Sequence, residues 1–207
     1  MMAQIVARIL SLVFYPLFIP TYGIALFCYA VHSPIVWAVV AIVGTLLFTC
    51  VLPMISIGIL IKHGKVKDIQ IENASERTMP YIYTTVGFAF WSYLMAYVLH
   101  APQFLTLVCI GATVAISIVV LINRRWKISA HLTGIGGLAG GLMSYFISIH
   151  SAPSVYIIIL WLLVPLLMMF ARLCLDAHTS AQVIAGWLLG LICTCVPNCI
   201  IAYVEKM

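Results

Sequence analysis

The chain has 207 residues, of which 65% are hydrophobic and only 7% are charged, and its formal net charge is +5. This composition excludes a soluble domain and predicts an all-α, polytopic integral membrane protein. A β-barrel is disfavoured, because barrel strands alternate weakly over about ten residues whereas these apolar runs are continuous. The expected partner is the membrane, and no nucleic-acid partner is expected.

Uncharged stretches predict where the chain crosses the membrane. These stretches are residues 9–61, 78–123, 128–171 and 177–204. A span needs about 20 residues, so the first three stretches hold two spans each and the last holds one. We expect a single domain, residues 1–207, with seven spans at about 10–32, 36–61, 79–99, 103–123, 130–149, 155–171 and 181–203. Pro16 and Pro20 predict either a kinked first span or a short interfacial helix followed by a span from about Thr21.

The connecting segments define a bare face and a charged face. Three turns, at 32–34, 100–102 and 150–153, contain no lysine or arginine and form the bare face. The charged face carries four of the five acids, and it carries all but one of the ten basic residues: Arg8, Lys62, Lys65, Lys67, Arg77, Arg124, Arg125, Lys127 and Arg172. Because Lys and Arg are retained in the cytoplasm, we expect this face to be cytoplasmic, in the plasma (inner) membrane. An anion-binding site on the same face is a compatible explanation.

The densest polar group lies between the last two predicted spans. Arg172 precedes His178 with the spacing R-x5-H, and Asp176 and Gln182 lie close to them in the sequence. Ionisable groups in so apolar a chain are functional candidates. If a helix begins near Thr179, its unpaired N–H groups and its dipole favour an anion, which Arg172 can hold through two N–H groups. The stretch therefore predicts a site for a phosphate or carboxylate headgroup.

A second polar group closes the fourth predicted span and opens the fifth. Lys127, Ser129 and His131 fall within five residues at a membrane boundary. One interpretation is structural, with Ser129 capping a helix and His131 packing in the bundle. The other interpretation is functional, since the same face carries Arg172 and His178.

Together the two groups resemble the motifs of the type 2 phosphatidic acid phosphatases, the lipid-phosphate phosphatase superfamily. That family carries P-S-G-H, then two helices, and then S-R-x5-H-x3-D. This chain has Ile128-Ser129-Ala130-His131, two spans, and then Ala171-Arg172-x5-His178-x3-Gln182, followed by Gly186 and Gly190. The resemblance covers about residues 124–195 and implies a six-helix core with an additional N-terminal segment.

The resemblance implies that the chain hydrolyses a lipid or isoprenoid phosphate ester without a metal or cofactor. His178 would attack phosphorus and carry the phosphoryl group, and His131 would protonate the departing oxygen. Arg172, Lys127 and Ser129 would stabilise the charge on the equatorial oxygens. The expected substrate is an amphiphilic phosphorylated lipid.

The first motif of the family, K-x6-R-P, is not found intact. Two basic groups are candidates to replace it: Arg77, which precedes Pro80, and the basic cluster that ends in Lys127. We favour Lys127 because it lies beside the matched Ser–His motif, and we keep Arg77 as the second candidate.

Gln182 stands where the family has the aspartate that orients the nucleophilic histidine. A glutamine can accept an Nδ1–H bond but adds no charge, and in serine proteases the comparable loss lowers kcat by about 10⁴. Gln182 also fits a capping box with Thr179, and Asp176 is a candidate for the missing charge. The alternative function is therefore a catalytically impaired relative that binds or moves a phosphorylated lipid. A transporter or channel unconnected with phosphate is disfavoured, because the polar groups lie at one face and not at mid-membrane.

The fifth predicted span is rich in glycine. Its pairs Gly136/Gly140 and Gly137/Gly141 have the small-xxx-small spacing that lets two helices approach closely. We expect these glycines to pack the span against the helices that carry the site.

Overall fold

The computed structural model describes residues 2–67 and 74–204. Asp68, Glu72 and Lys206, which belong to the charge pattern, lie outside the described residues. Within the described ranges the chain is all-helical and forms no strand, which confirms the predicted class. We number its α-helices α1 (Met2–Val13), α2 (Ile19–Ala30), α3 (Ile35–Lys62), α4 (Thr78–Tyr97), α5 (Gln103–Asn123), α6 (Ala130–Ser148), α7 (Val155–Cys174) and α8 (Ser180–Val204).

The helices α3, α5, α7 and α8 are long and apolar enough to cross a membrane. They indicate an integral membrane protein, and Leu162, Leu166 and Phe170 of α7 remain exposed as lipid-facing side chains would. The longest, α3, is a continuous helix of 28 residues with a π-helical turn at Leu47–Val51. Pro53 follows this turn and lacks the N–H that a regular helical bond would require.

The first predicted span, 10–32, is wrong as a single helix. The chain leaves α1 after Val13, passes through a turn that contains Pro16, and enters α2 at Ile19 with Pro20 in the first turn. These prolines cannot supply the N–H groups of a continuous helix. The chain instead forms a short helix followed by a second helix of 12 residues, and the membrane span from about Thr21 in the alternative stays a prediction. With 12 residues, α1 is about 18 Å long and cannot cross a hydrocarbon core of about 30 Å.

The bare-face turns share one backbone feature. His32, His100 and His150 have positive φ values of 50°, 46° and 50° and follow the ends of α2, α4 and α6. This left-handed conformation ends many helices, and it lets a following N–H return to an unpaired helical carbonyl. After His32 the returning group is Ser33 N–H, which donates to the Cys28 carbonyl at 3.0 Å. These histidines therefore terminate helices.

The closest packing joins α6 to α8. A Cβ at Gly136 would overlap the carbonyl of Trp187, and a Cβ at Gly190 would overlap the carbonyl of Thr133. Only glycine lets the two backbones come so near each other. Gly137 differs, because a Cβ there would make an ordinary contact with a Thr194 methyl at 3.7 Å. Gly136 and Gly190 thus hold the fifth predicted span directly against the last helix.

Candidate functional site

A large cavity lies among the helices, with a volume of about 1030 Å³ and a mostly apolar wall. Arg77, His131, Arg172 and His178 all contribute to that wall. Among its described residues the wall contains no Asp, Glu or Lys. Apolar surface combined with guanidinium and imidazole groups suits an amphiphile with an anionic head. The structure therefore brings the two polar groups of the sequence to one site.

These groups meet because the first turns of α6 and α8 lie side by side. The backbone N–H of Ser129 donates to the carbonyl of Gln182 at 3.3 Å. A Cβ at Gly186 would lie 2.6 Å from the Ser129 carbonyl, so a side chain there would force the turns apart. The glycine seam thus sets the register that places the residues before His131 beside those around His178.

His178 lies between α7 and α8 and is buried. Its Nδ1 is 3.1 Å from the carbonyl of Lys127 and 3.2 Å from Oε1 of Gln182. Both partners are acceptors, so Nδ1 carries the proton and Nε2 of the neutral ring keeps its lone pair. Burial, followed by the positive charge of Arg172, lowers the pKa of His178 to about 4. The imidazole is therefore neutral at physiological pH, with the free Nε2 that a nucleophile requires.

The side-chain oxygen of Gln182 contacts His178 and also caps the helix, the two roles between which the sequence did not decide. Oε1 accepts from the Thr179 N–H at 3.1 Å and from His178 Nδ1 at 3.2 Å. In return, the Gln182 N–H donates to Thr179 Oγ1 at 3.4 Å, which completes a capping box. The backbone donor also identifies the contacting atom as oxygen. The helix cap and the orientation of the imidazole therefore depend on one atom.

His131 is held by the first helix. Its Nε2 donates to the carbonyl of Ser11 at 3.1 Å. Its ring meets Tyr15 edge to face, with centroids 5.9 Å apart and planes at 88°. Because a carbonyl can only accept, Nε2 carries the proton that a general acid would transfer. In this arrangement that proton is directed at Ser11.

Arg172, near the end of α7, reaches the same residue of α1. Its Nη1 donates to Ser11 Oγ at 3.0 Å. Its Nε–H is buried and has no hydrogen-bond partner in the described part of the chain. A buried donor without an acceptor is costly, and the Nε–Nη edge of a guanidinium matches two oxygens of a phosphate or carboxylate. Arg172 therefore keeps a buried donor that an anionic oxygen can accept from.

Arg77, and not Lys127, faces the cavity. Arg77 ends the 3₁₀ turn before α4, is 9% exposed, and donates a hydrogen bond to the Tyr81 hydroxyl. Its positive charge acts on Arg172 and His178. The side chain of Lys127 is absent from the wall, and Lys127 contributes its backbone carbonyl instead. Of the two candidates for the replacement of the first motif, Arg77 is therefore the one that lines the cavity.

Two further predicted site residues have structural roles. Ser129 is fully buried at the N-cap of α6, where its Oγ accepts from the Leu132 N–H at 3.5 Å, and it does not line the cavity. Asp176 is exposed with a φ of 50° in the turn after α7. The next N–H, of Ala177, returns to the Arg172 carbonyl at 3.1 Å, as in the histidine turns. Neither residue lines the cavity, and their predicted roles at a phosphate stay predictions.

Ser11, Tyr15 and Tyr81 are site residues that sequence reasoning missed. Ser11 contacts Arg172 across 161 positions, and no local pattern reveals such a contact. Tyr81 carried a usable signal, because it lies four residues after Arg77, which is the spacing of neighbours on a helix.

The donor set suits an anion. Among the described residues, no group of three or more His, Cys, Asp or Glu side chains is placed to hold a metal ion. Comparison of the chain with known protein families, curated proteins and solved structures finds no match.

Proposed function

We propose that this protein is a membrane phosphatase that hydrolyses an amphiphilic lipid or isoprenoid phosphate ester through a phosphohistidine. One observation carries the proposal: His131, Arg172 and His178 line the same cavity. The resemblance to the type 2 phosphatidic acid phosphatases assigns these three residues to one site. The apolar remainder of the wall suits the hydrocarbon chain of such a substrate.

The proposed reaction has two steps. Nε2 of His178 attacks phosphorus and forms an N–P bond while the P–O bond to the lipid breaks, and His131 gives its proton to the departing oxygen. Arg172 and Arg77 stabilise the charge on the equatorial oxygens. Water then attacks phosphorus and gives a proton to His131. The N–P bond breaks, its electron pair returns to Nε2, and inorganic phosphate leaves.

The proposal includes a topology. Helices α3–α8 would provide six crossings. The seventh would be α2, which like α1 has 12 residues, together with the turn at residues 14–18 that precedes it. Helix α1 would lie at the interface, and the site would face the cytoplasm from the plasma (inner) membrane. Without the candidate site residues Arg77, Lys127 and Arg172, the remaining Lys and Arg still divide six to one in favour of the charged face. A reporter enzyme that works only outside the cytoplasm, fused after Met207, should be active. Activity of a cytoplasm-only reporter at the same position would reverse the orientation.

Phosphate release tests the enzymatic claim. The purified protein would be offered phosphatidic acid, phosphatidylglycerol phosphate, an isoprenoid diphosphate and a phosphorylated glycolipid in detergent micelles. We expect release from at least one of them, no release by His178→Ala, and normal release by His150→Ala, which removes an exposed imidazole from a bare-face turn. No release from any of the four, together with no binding of orthovanadate, would refute the proposal.

One observation favours the alternative, a protein that binds or moves a phosphorylated lipid without turnover. The side-chain partner of His178 is the neutral amide of Gln182, and no carboxylate occurs in the described cavity wall. Gln182→Glu discriminates between the two functions, because glutamate has the same length and also completes a capping box. For a phosphatase, the added carboxylate should raise turnover by about tenfold or more. Vanadate binding without phosphate release in either protein would favour the binding function.

A further inference from the structure

Ser11 accepts hydrogen bonds from two N–H groups that a bound phosphate would need. Its hydroxyl accepts from Arg172 Nη1 at 3.0 Å, and its carbonyl accepts from His131 Nε2 at 3.1 Å. One residue of α1 therefore engages both the proposed anion-binding group and the proposed acid. A phosphate in the site would compete with Ser11 for the same N–H groups.

The helix that carries Ser11 is attached to the bundle mainly through one neighbour. Of its residues only Ala7 is buried, it packs mainly on α7, and the turn at Pro16 separates it from α2. Gln4, Arg8 and Ser11 fall at helical spacing on a strip of an otherwise apolar helix. Such an amphipathic helix, too short to cross the bilayer, suits the membrane interface. With so little buried surface, it can move while the other helices stay packed.

The hydrogen bonds that Arg172 and His131 make to Ser11 are also weaker than those that they would make to an anion. The hydroxyl and the carbonyl are neutral, whereas hydrogen bonds from a guanidinium to a charged phosphate are roughly twice as strong. Moreover, with Ser11 in place, Arg172 Nε–H has no hydrogen-bond partner in the described chain. A phosphate on the Nε–Nη2 edge would satisfy Nε, and its charge would compete with Ser11 for Nη1 and for His131 Nε2, so its arrival favours the departure of Ser11.

We infer that α1 is a lid over the anion site and that it must withdraw Ser11 before a phosphate headgroup binds to Arg172 and His131. This inference rests on the proposed function for the identity of the ligand, a phosphate. Ser11 thereby regulates access to the site.

Orthovanadate binding to the full-length protein in detergent tests the lid. Ser11→Ala removes the hydroxyl that competes for Arg172, so vanadate should bind roughly fivefold more tightly. Ser11→Asp places a carboxylate beside Arg172 and should weaken binding by about tenfold or more. Ser148→Ala, which removes an exposed serine at the far end of α6, should bind like the wild type.

Hydrogen exchange supplies a readout that does not depend on these substitutions. Vanadate should accelerate amide exchange in residues 2–15 of the wild-type protein and leave α6 and α8 protected. Equal vanadate affinity in Ser11→Ala, Ser11→Asp and the wild type, with unchanged exchange in α1, would overturn the lid and leave the proposed function standing. Failure of all three proteins to bind vanadate would overturn both.

Discussion

Two groups of histidines in this protein use the same side chain differently. On the bare face, His32, His100 and His150 are exposed, and their common feature is a left-handed backbone at a helix end. On the charged face, His131 and His178 line a cavity, and each makes a hydrogen bond through a ring nitrogen. The first group ends helices through its backbone conformation, and the second group lines the cavity with its imidazoles.

The difference shows which histidines report on function. An exposed imidazole in a turn costs little to place, so its presence says little about chemistry. A buried or half-buried imidazole needs an acceptor for its N–H group. At His131 and His178 those contacts fix which nitrogen carries the proton. The predictions below compare variants from the two groups, beginning with the largest expected effect.

His131→Ala should lower kcat/KM by about 10²- to 10⁴-fold, because the departing oxygen loses its proton donor. The loss should be smaller for p-nitrophenyl phosphate, whose leaving group needs little protonation. Steady-state kinetics on both substrates measure the difference, with His100→Ala as the matched control. Equal losses in the two variants would contradict the division between the groups of histidines.

Arg172→Lys should weaken orthovanadate binding by about 10²-fold. Lysine keeps the positive charge but loses the planar edge that can bind two oxygens, and hydrogen bonds to charged groups are worth about 1.5–3 kcal/mol. Isothermal titration in detergent measures the affinity. Arg124→Lys, an exposed change on the same face, should leave the affinity unaltered, and a comparable loss there would indicate a nonspecific charge effect.

Stability should respond to the titration of His178. Its pKa in the folded protein is lowered to about 4 by burial and by Arg172, whereas an unfolded histidine has a pKa of about 6.5. The unfolded state therefore binds more protons between these values, so the contribution to stability is complete above pH 6.5 and is lost as pH falls towards 4.

Comparison of the wild type with His178→Gln isolates this contribution. The advantage of the wild type should shrink on acidification by an amount on the order of 2 kcal/mol. Thermal unfolding in detergent at several values between pH 7 and pH 4.5 measures it, and His150→Gln should show no such trend. A constant difference between His178→Gln and the wild type over this range would contradict the assignment.

His150→Gly should have the smallest effect, a gain of about 0.5–1 kcal/mol in stability with unchanged activity. Glycine adopts the observed φ of 50° without the strain that a Cβ brings, although it is more flexible when unfolded. His150→Val should instead destabilise, because branched side chains tolerate this conformation poorly. Thermal unfolding would rank the two variants, and a lower midpoint for glycine than for valine would reject a backbone role for His150.

The composition and the spacings predicted much of the fold and part of the site. The uncharged runs located α3–α8, and the motifs around His131 and His178 contain the residues that meet in the cavity. The helices agree with the prediction there because helix periodicity and the glycine seam through Gly136 and Gly190 agree with the tertiary packing, and the chemical roles of the site residues stay predictions.

The other site residues are placed by contacts between segments that are far apart in the sequence. Lys127 adjoins the Ser–His motif, and its carbonyl contacts His178, whereas Arg77 lines the cavity from a distant turn. The structural interpretation of Ser129 holds because the start of α6 needs its cap. Ser11 was missed since its partners lie 120 and 161 positions away.

A structure of the protein with bound orthovanadate tests the central claim most directly. We predict vanadium bonded to Nε2 of His178, its oxygens within hydrogen-bond distance of Arg172 and His131, and Ser11 withdrawn from both residues. Vanadate bound at another place, with Ser11 still on Arg172 and His131, would contradict a common phosphate site for the two imidazoles.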